Sequence, residues 1–468
     1  MTPADFNRRR ASTAFGARRV RVAALADCAC TARPLAALLR AALLATLLLA
    51  LLPKASAQSG APLGSTLDGL LDHARATHPE LRAMRHEADA AAQRIGAAGA
   101  LPDPMVQMEL RNVTNEVTDS MGSTPGNFNL LPARVGSTRY QVRQTFPAWG
   151  SRDARRAAAR AGADEATLRA EATWTELAMR IKTAWARWQQ QHATVAQTRE
   201  ILGLMDRLES VAQLRYAGGL APQQDAIRAQ VERTGMASEL LMQESEIAAL
   251  AARLNSLVAR APDAVLAPPR TDLRDQAALP PLARTDAGAL RERVLARNPA
   301  LAAEDARLRA AERNKDLVYA NRWPEFTLGI APVQTRNRIA EWEVMFEVNI
   351  PLQQGSRRAD EREAAAMVAA AQARRESAAN ELMALLGEQL AQLDAARRVE
   401  SLTARTLLPQ AELTLQAALA GYESGKVDFA TVLEAQRQIR QAQLTLIRTR
   451  ADALMRLAEI ERLVGGEL

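Results

Sequence analysis

The chain has 468 residues and a formal net charge of +7; 48% of it is hydrophobic and only 4% aromatic. That apolar share excludes a disordered polyelectrolyte, and its dominance by Ala and Leu favours helix. The positive balance suggests a nucleic-acid partner, but its location removes that reading.

Residues 1–40 hold Arg8, Arg9, Arg10, Arg18, Arg19, Arg21, Arg33 and Arg40, followed by AALLATLLLALL at 41–52 and then PKASAQ. A basic segment, a short apolar core and small residues at Ala55 and Ala57 predict a secretory signal peptide over 1–57, cleaved before Gln58. The core is short for an uncleaved membrane span. Residues 1–57 carry nine basic and two acidic residues, and what remains has 51 of each sign. The excess charge belongs to the address segment, so no nucleic-acid partner is expected. Cys28 and Cys30, the only cysteines, leave with the signal, and no disulfide or thiolate metal site is expected.

Beyond the signal the chain is written twice. THPELRAMRHEADAAAQRIGAAGALPDPMVQMEL, from Thr77, is answered by RNPALAAEDARLRAAERNKDLVYANRWPEFTLGI, from Arg297. Pro79, Leu81 and Pro104 match Pro299, Leu301 and Pro324 at a constant offset of 220. The offset falls to 204 at Pro147 and Pro351 and is 206 at Tyr216 and Tyr422. The sixteen extra residues of the first copy lie around VTDSMGSTPGNFNLLPARVG, a Gly-, Pro- and Asn-rich stretch that predicts a long exposed loop. Two structural halves follow, 58–262 and 285–468, joined over 263–284 by a Pro-rich linker that cannot continue a helix.

Each half predicts the same order. A helix of about 35 residues starts at His78-Pro79 or Asn298-Pro299, where proline fits the first turn. Two strands follow, near 104–112 and 138–146 in the first half and near 324–331 and 341–350 in the second. Very long helices are predicted near 151–215 and 356–420, each on the order of 100 Å long. A Tyr-x-x-Gly turn, at Tyr216–Gly219 or Tyr422–Gly425, leads into a helix of about 40 residues. The two shorter helices of a half are expected to lie end to end beside the long one. The predicted class is mainly α with a small β part, in two repeats of helix–strand–strand–long helix–helix.

All four strands alternate. Val106, Met108 and Leu110 stand opposite Gln107, Glu109 and Arg111; Tyr140, Val142 and Phe146 stand opposite Arg139, Gln141, Arg143 and Thr145. Phe326, Leu328 and Ile330 stand opposite Thr327 and Gly329; Trp342, Val344, Phe346, Val348 and Ile350 stand opposite Glu341, Glu343, Glu347 and Asn349. One such hairpin alone reads as a half-buried pair on a helical core. Three features favour membrane strands instead: a length suited to a tilted span, Trp149, Trp323 and Trp342 at strand ends where aromatic girdles belong, and helices too long to fold back over the sheet. Trp149, Trp323, Trp342 and Phe346 then face lipid or form girdles, and Glu109, Arg111, Arg139, Arg143, Glu343 and Glu347 line a watery interior. Four strands cannot close a barrel, and open edges in lipid leave backbone groups unpaired. Other subunits are therefore required; two copies or three satisfy the count.

The doubled plan, the paired Tyr-x-x-Gly turns and the export signal resemble TolC-type outer-membrane efflux channels over residues 62–465. GALPDPMVQMELRNV and RQTFPAWGSR resemble the heavy-metal, CzcC/CusC-like branch. The resemblance implies a homotrimer with a twelve-stranded β-barrel in the outer membrane and a long α-helical barrel in the periplasm. It implies a periplasmic adaptor (membrane fusion protein) and an inner-membrane RND pump as partners, with passive export of heavy-metal cations or, alternatively, of organic solutes. By the same resemblance Tyr216, Gly219, Tyr422 and Gly425 form adaptor-docking tips, Asp225 and Tyr422 are gate-closing partners, and Glu434 is an acidic constriction. Val427 and Thr431 depart from that pattern, standing where a gating arginine and a second acid can occur, which leaves Lys426 as the basic partner. A periplasmic helical structural or adaptor protein without a pore is the alternative from another class.

His73, His78, His86 and His192 are the only histidines and lack metal-site spacing; His78 and Asn298 read as helix-start residues. Met105, Met108 and Met345 read as apolar packing. No cofactor, metal or enzymatic activity is expected.

Overall fold

Proline and glycine set most of the element boundaries. The first repeat holds α1 (Leu67–Thr77), α2 (Pro79–Ala98), β1 (Met105–Arg111), β2 (Ser137–Phe146), α3 (Ser151–Ala217) and α4 (Gln223–Leu257). The second holds α5 (Ala287–Arg297), α6 (Pro299–Ala320), β3 (Glu325–Thr335), β4 (Arg338–Asn349), α7 (Gln354–Leu402), α8 (Leu408–Glu423) and α9 (Phe429–Val464). This computed structural model describes residues 63–113, 130–132, 135–276, 287–335 and 337–468. The expected signal peptide, most of the expected long loop and the end of the expected linker lie outside them.

The helix expected to start at each X-Pro pair does start there, but runs 20 and 22 residues rather than about 35, and a separate 11-residue helix precedes each pair. Proline bars the residue before it from helical backbone, so His78 (ψ 124°) and Asn298 (ψ 120°) are extended and a fresh helix starts behind each. Asn298 also caps: its Oδ1 accepts from Leu301 N–H at 2.9 Å and its Nδ2 donates to the Leu463 carbonyl at 2.8 Å. His78 makes no such side-chain bond.

α3 runs unbroken for 67 residues. The counterpart expected over 356–420 does not, because Pro409 lacks an N–H and crowds the carbonyl four residues back. A π-turn at Thr403–Leu407 absorbs the mismatch, with Leu408 N–H bonded to the Thr403 carbonyl, and α8 resumes from there.

α2 and α4 lie along α3, while α6 and α9 lie along α7. α6 and α9 also pack on α3, which thereby joins the repeats. Buried side chains form separate clusters strung along these rods. One gathers Leu70, Ile181, Trp185 and Leu254; another Leu301, Leu386, Leu393 and Ile460; a third Met205, Met236, Tyr422 and Phe429. Buried alanines at the contacts, among them Ala184, Ala212, Ala229 and Ala453, let the helices approach closely.

The strands form one antiparallel sheet in chain order, with β1 and β4 as its edges. β3 extends to Thr335, past the expected 331. Among the described residues no helix is long and apolar enough to cross a membrane.

Both repeats end on a left-handed residue, Ala259 (φ 56°) and Gly465 (φ 76°). For a residue with a Cβ this conformation costs roughly 1–2 kcal/mol, partly offset by glycine's greater unfolded-state freedom. Ala259→Gly is expected to raise stability by up to about 1 kcal/mol. Gly465→Ala is expected to lower it further than strain alone, since its Cβ would collide with the Arg297 carbonyl. Thermal unfolding of the solubilised protein checks both.

Candidate functional site

The sheet has the burial pattern of a soluble protein turned inside out. On one face Val106, Met108, Val142, Leu328, Ile330, Trp342, Val344 and Phe346 are all exposed, Val344 by 80%. They are in register across the strands: Val106 opposes Val142, Val142 opposes Ile330, and Ile330 opposes Val344. The other face carries the charges; Gln141, Ala331 and Val333 at its middle are buried, while Arg111, Glu341 and Glu347 towards the edge strands are exposed. Trp149 and Trp323 stand exposed at the helical end of the sheet. Trp342 lies seven residues from Asn349, the partner of Glu325 at that end. Seven residues span about 23 Å along a strand, close to the apolar band of roughly 25 Å in membrane barrels.

The charged face is a connected network. Arg139 lies 2.7 Å from Glu343 and 3.7 Å from Glu109, and Arg111 pairs with Glu109 at 3.3 Å. β2 and β4 are not neighbours, so Arg139 must cross β3. It can, because β3 presents Ala331 and Val333 there rather than long side chains. Gly329 opens the next level in the same way; a Cβ would press on Gln141, Arg143 and Met345 at 3.0–3.3 Å. Arg143 and Glu347 share the face but neither has an ion pair among the described residues.

At the far end of the rods the two Tyr-x-x-Gly turns are built alike. Gly219 (φ 68°) and Gly425 (φ 70°) end their helices in left-handed conformation. Leu220 N–H bonds to the Arg215 carbonyl and Lys426 N–H to the Gly421 carbonyl, each at 2.8 Å, which closes the last helical turn. Arg215 ties the turns together: its Nη1 donates to the Glu423 carbonyl at 2.9 Å, and its guanidinium sits 4.7 Å from the Tyr422 ring centroid. Tyr422 in turn packs on Phe429, their centroids 5.4 Å apart.

A family model described as outer membrane efflux protein matches residues 70–260 and 290–466, most of the chain. This chain belongs to the outer membrane efflux protein family. Three solved structures share its fold. The outer-membrane channel OprN is 18% identical with a TM-score of 0.72, the match covering 87% of this chain and 93% of that one. VceC from Vibrio cholerae is 18% identical with a TM-score of 0.70, covering 86% and 96%. CusC is 17% identical with a TM-score of 0.73, covering 86% and 93%. Likeness at that identity speaks for the fold alone. No curated protein matches the chain.

In this efflux protein the tip differs from expectation in its basic partner. Lys426 is exposed and has no ion pair among the described residues; the cation that crosses the tip is Arg215. Arg215 went unnoticed in the sequence because it precedes the matched Tyr216 rather than belonging to the motif. The available signal was a mismatch, Arg215 against Gly421, inside otherwise parallel turns. Asp225 and Tyr422 are both buried at the tip, yet the Tyr422 hydroxyl has no hydrogen-bond partner, so the expected bond between them is absent here. Glu434 is exposed and accepts from Gln438 Nε2 at 3.3 Å. Thr431 is a capping partner: Asp428 Oδ1 accepts from its N–H at 3.0 Å and its hydroxyl at 2.6 Å, which holds Asp428 below the usual carboxylate range.

Burial pushes the Asp225 carboxyl above the ordinary aspartate range; Arg228 and Arg215 oppose this, and Asp428 adds to it. Burial also raises the Tyr422 phenol, with Asp225 adding to the effect. A raised acid contributes stability that is complete below its unfolded pKa and is lost as pH rises through the folded one. Raising the pH from below the ordinary aspartate range through the raised value is therefore expected to loosen this tip, read as falling amide protection factors over residues 214–228, with the intrinsic base catalysis of exchange divided out. Asp225→Asn should flatten that pH dependence; an unchanged profile would assign the effect to another group.

Proposed function

We propose that three copies of this chain form the outer-membrane exit duct of a tripartite efflux system. The observation that carries the reading is the exposed apolar face of the sheet, backed by a network of arginines and glutamates on the opposite face. Water penalises that face and lipid does not. The unpaired edges of β1 and β4 then have to meet other copies, since lipid offers backbone groups no partner. Twelve strands are an even number within the range of single-chain membrane barrels. The rods extend into the periplasm as a helical barrel, and the tips at Tyr216, Gly219, Tyr422 and Gly425 receive a periplasmic adaptor joined to an inner-membrane RND pump. Transport through the duct is passive, with energy supplied by the pump. The heavy-metal reading of the cargo is supported by GALPDPMVQMELRNV and RQTFPAWGSR. A deletion strain sensitised to zinc, cobalt, cadmium or copper supports it, whereas sensitivity to organic antibiotics alone assigns an organic cargo.

On this reading Glu109, Arg111, Arg139, Arg143, Glu343 and Glu347 face the lumen, and Arg215 latches the tip. Reconstituted protein is expected to form pores in planar bilayers, and a water-soluble monomer after signal removal would overturn the proposal. Replacing Glu343 and Glu347 with Gln is expected to shift the reversal potential towards anions. Glu343→Gln alone should shift it in the same direction, because it leaves the charge of Arg139, 2.7 Å from Glu343, uncompensated. Arg215→Ala is expected to raise single-channel conductance or open probability; unchanged currents would show that the contact with Glu423 does not limit passage.

A further inference from the structure

Where β2 gives way to α3, a groove of about 670 Å³ opens beneath the apolar face. Phe146, Trp149, Leu328 and Phe346 form one wall, and Arg152 and Arg156 stand on the other. The walls differ in chemistry. Trp149 is 90% exposed, and Phe346 stacks on Phe326 with centroids 5.9 Å apart, giving a flat aromatic surface. Opposite it, the first ten residues of α3 carry Arg152, Arg155, Arg156 and Arg160 against a single acid, Asp153. Arg152 is committed to the chain, donating from Nε and Nη2 to the Gly99 carbonyl at 3.1 and 2.8 Å. Arg156 is not: it lies over Gly99, where a Cβ would collide with its guanidinium, and its ion pair with Asp153 is long, 3.8 Å, and half exposed.

We propose that this groove seats an anionic phospholipid of the inner leaflet, with its acyl chains on the aromatic wall and its phosphate on Arg156. The inference rests on the outer-membrane reading above. The occupant follows from the pairing of walls: an acyl chain fits the first, and a guanidinium recognises phosphate by charge-assisted hydrogen bonds. Uncommitted positive charge at a membrane surface selects anionic over zwitterionic headgroups.

The test uses the assembled protein in detergent, titrated with dibrominated phosphatidylglycerol or dibrominated phosphatidylcholine. Bromine quenches nearby tryptophan, and subtracting the signal of Trp149→Phe isolates Trp149. Phosphatidylglycerol is expected to half-quench Trp149 at a several-fold lower mole fraction than phosphatidylcholine. Arg156→Gln should erase that preference, and Arg156→Lys should keep part of it. Equal half-quenching by the two lipids in the wild type would overturn the lipid seat while leaving the membrane reading intact. No quenching of Trp149 by either lipid would overturn the membrane reading itself.

Discussion

An apolar sheet face that no element among the described residues covers is the constraint on which the rest of the structure depends. Ten large side chains, from Val106 on β1 to Phe346 on β4, stand exposed on it. Fully removing such side chains from water is worth roughly 1.5–3 kcal/mol each, a total on the order of 15–30 kcal/mol. Even half of that matches the whole net stability of an ordinary domain, about 5–15 kcal/mol. A chain with this face free in water would aggregate before it functioned. Turning the sheet over is no remedy, because the opposite face carries Arg139, Glu109 and Glu343 in mutual contact. An environment that is apolar outside and wet inside satisfies both faces, which is what the proposed barrel supplies.

The same constraint explains two local choices on β3. A charged network on a curled sheet needs room, and long side chains on the middle strand would block it. Ala331, Val333 and Gly329 stand where β3 faces the charges, so Arg139 can reach past its neighbour to Glu343. The helical part answers a different demand. Rods of this length have no centre, so burial is divided among clusters spaced along them. Ion pairs between the rods, such as Arg437 with Glu232 and Arg440 with Glu239 at 2.8 Å, are partly exposed and add little each. They fix which helix faces meet more than they hold them together.

Much of the fold was legible because its signals are periodic. Strand alternation names the faces without any knowledge of pairing, and a repeat seen twice makes each copy check the other. What escaped was local. The proline pairs at His78 and Asn298 mark the helix starts, but the ends, at Ala98 and Ala320, fall well short of the expected length. Pro409 inside the expected helix 356–420 was visible in the sequence; the π-turn that absorbs it depends on how α8 is held by α9, which no local pattern reports. At the tip, the burial of Asp225 and Tyr422 and the unpartnered Tyr422 hydroxyl depend on side-chain geometry that no local sequence pattern reports. Arg215 lies outside the Tyr-x-x-Gly motif and corresponds to Gly421 in the other copy, so the repeat does not mark it.

The mismatches between the repeats are where the molecule departs from its own symmetry, and at the tip they interlock. Gly421 stands at the position of Arg215, and a Cβ there would press on Val427 at 3.0 Å. The second tip is therefore closed by Val427 packing on a bare backbone, which leaves the Glu423 carbonyl open to an outside donor. The first tip supplies that donor in Arg215. One copy has bare backbone at this position and the other a guanidinium that reaches across. A symmetric pair of tips, with arginine at both positions, would collide with Val427 on one side and set two cations against each other. The contact that joins the repeats at this end exists because they are no longer alike.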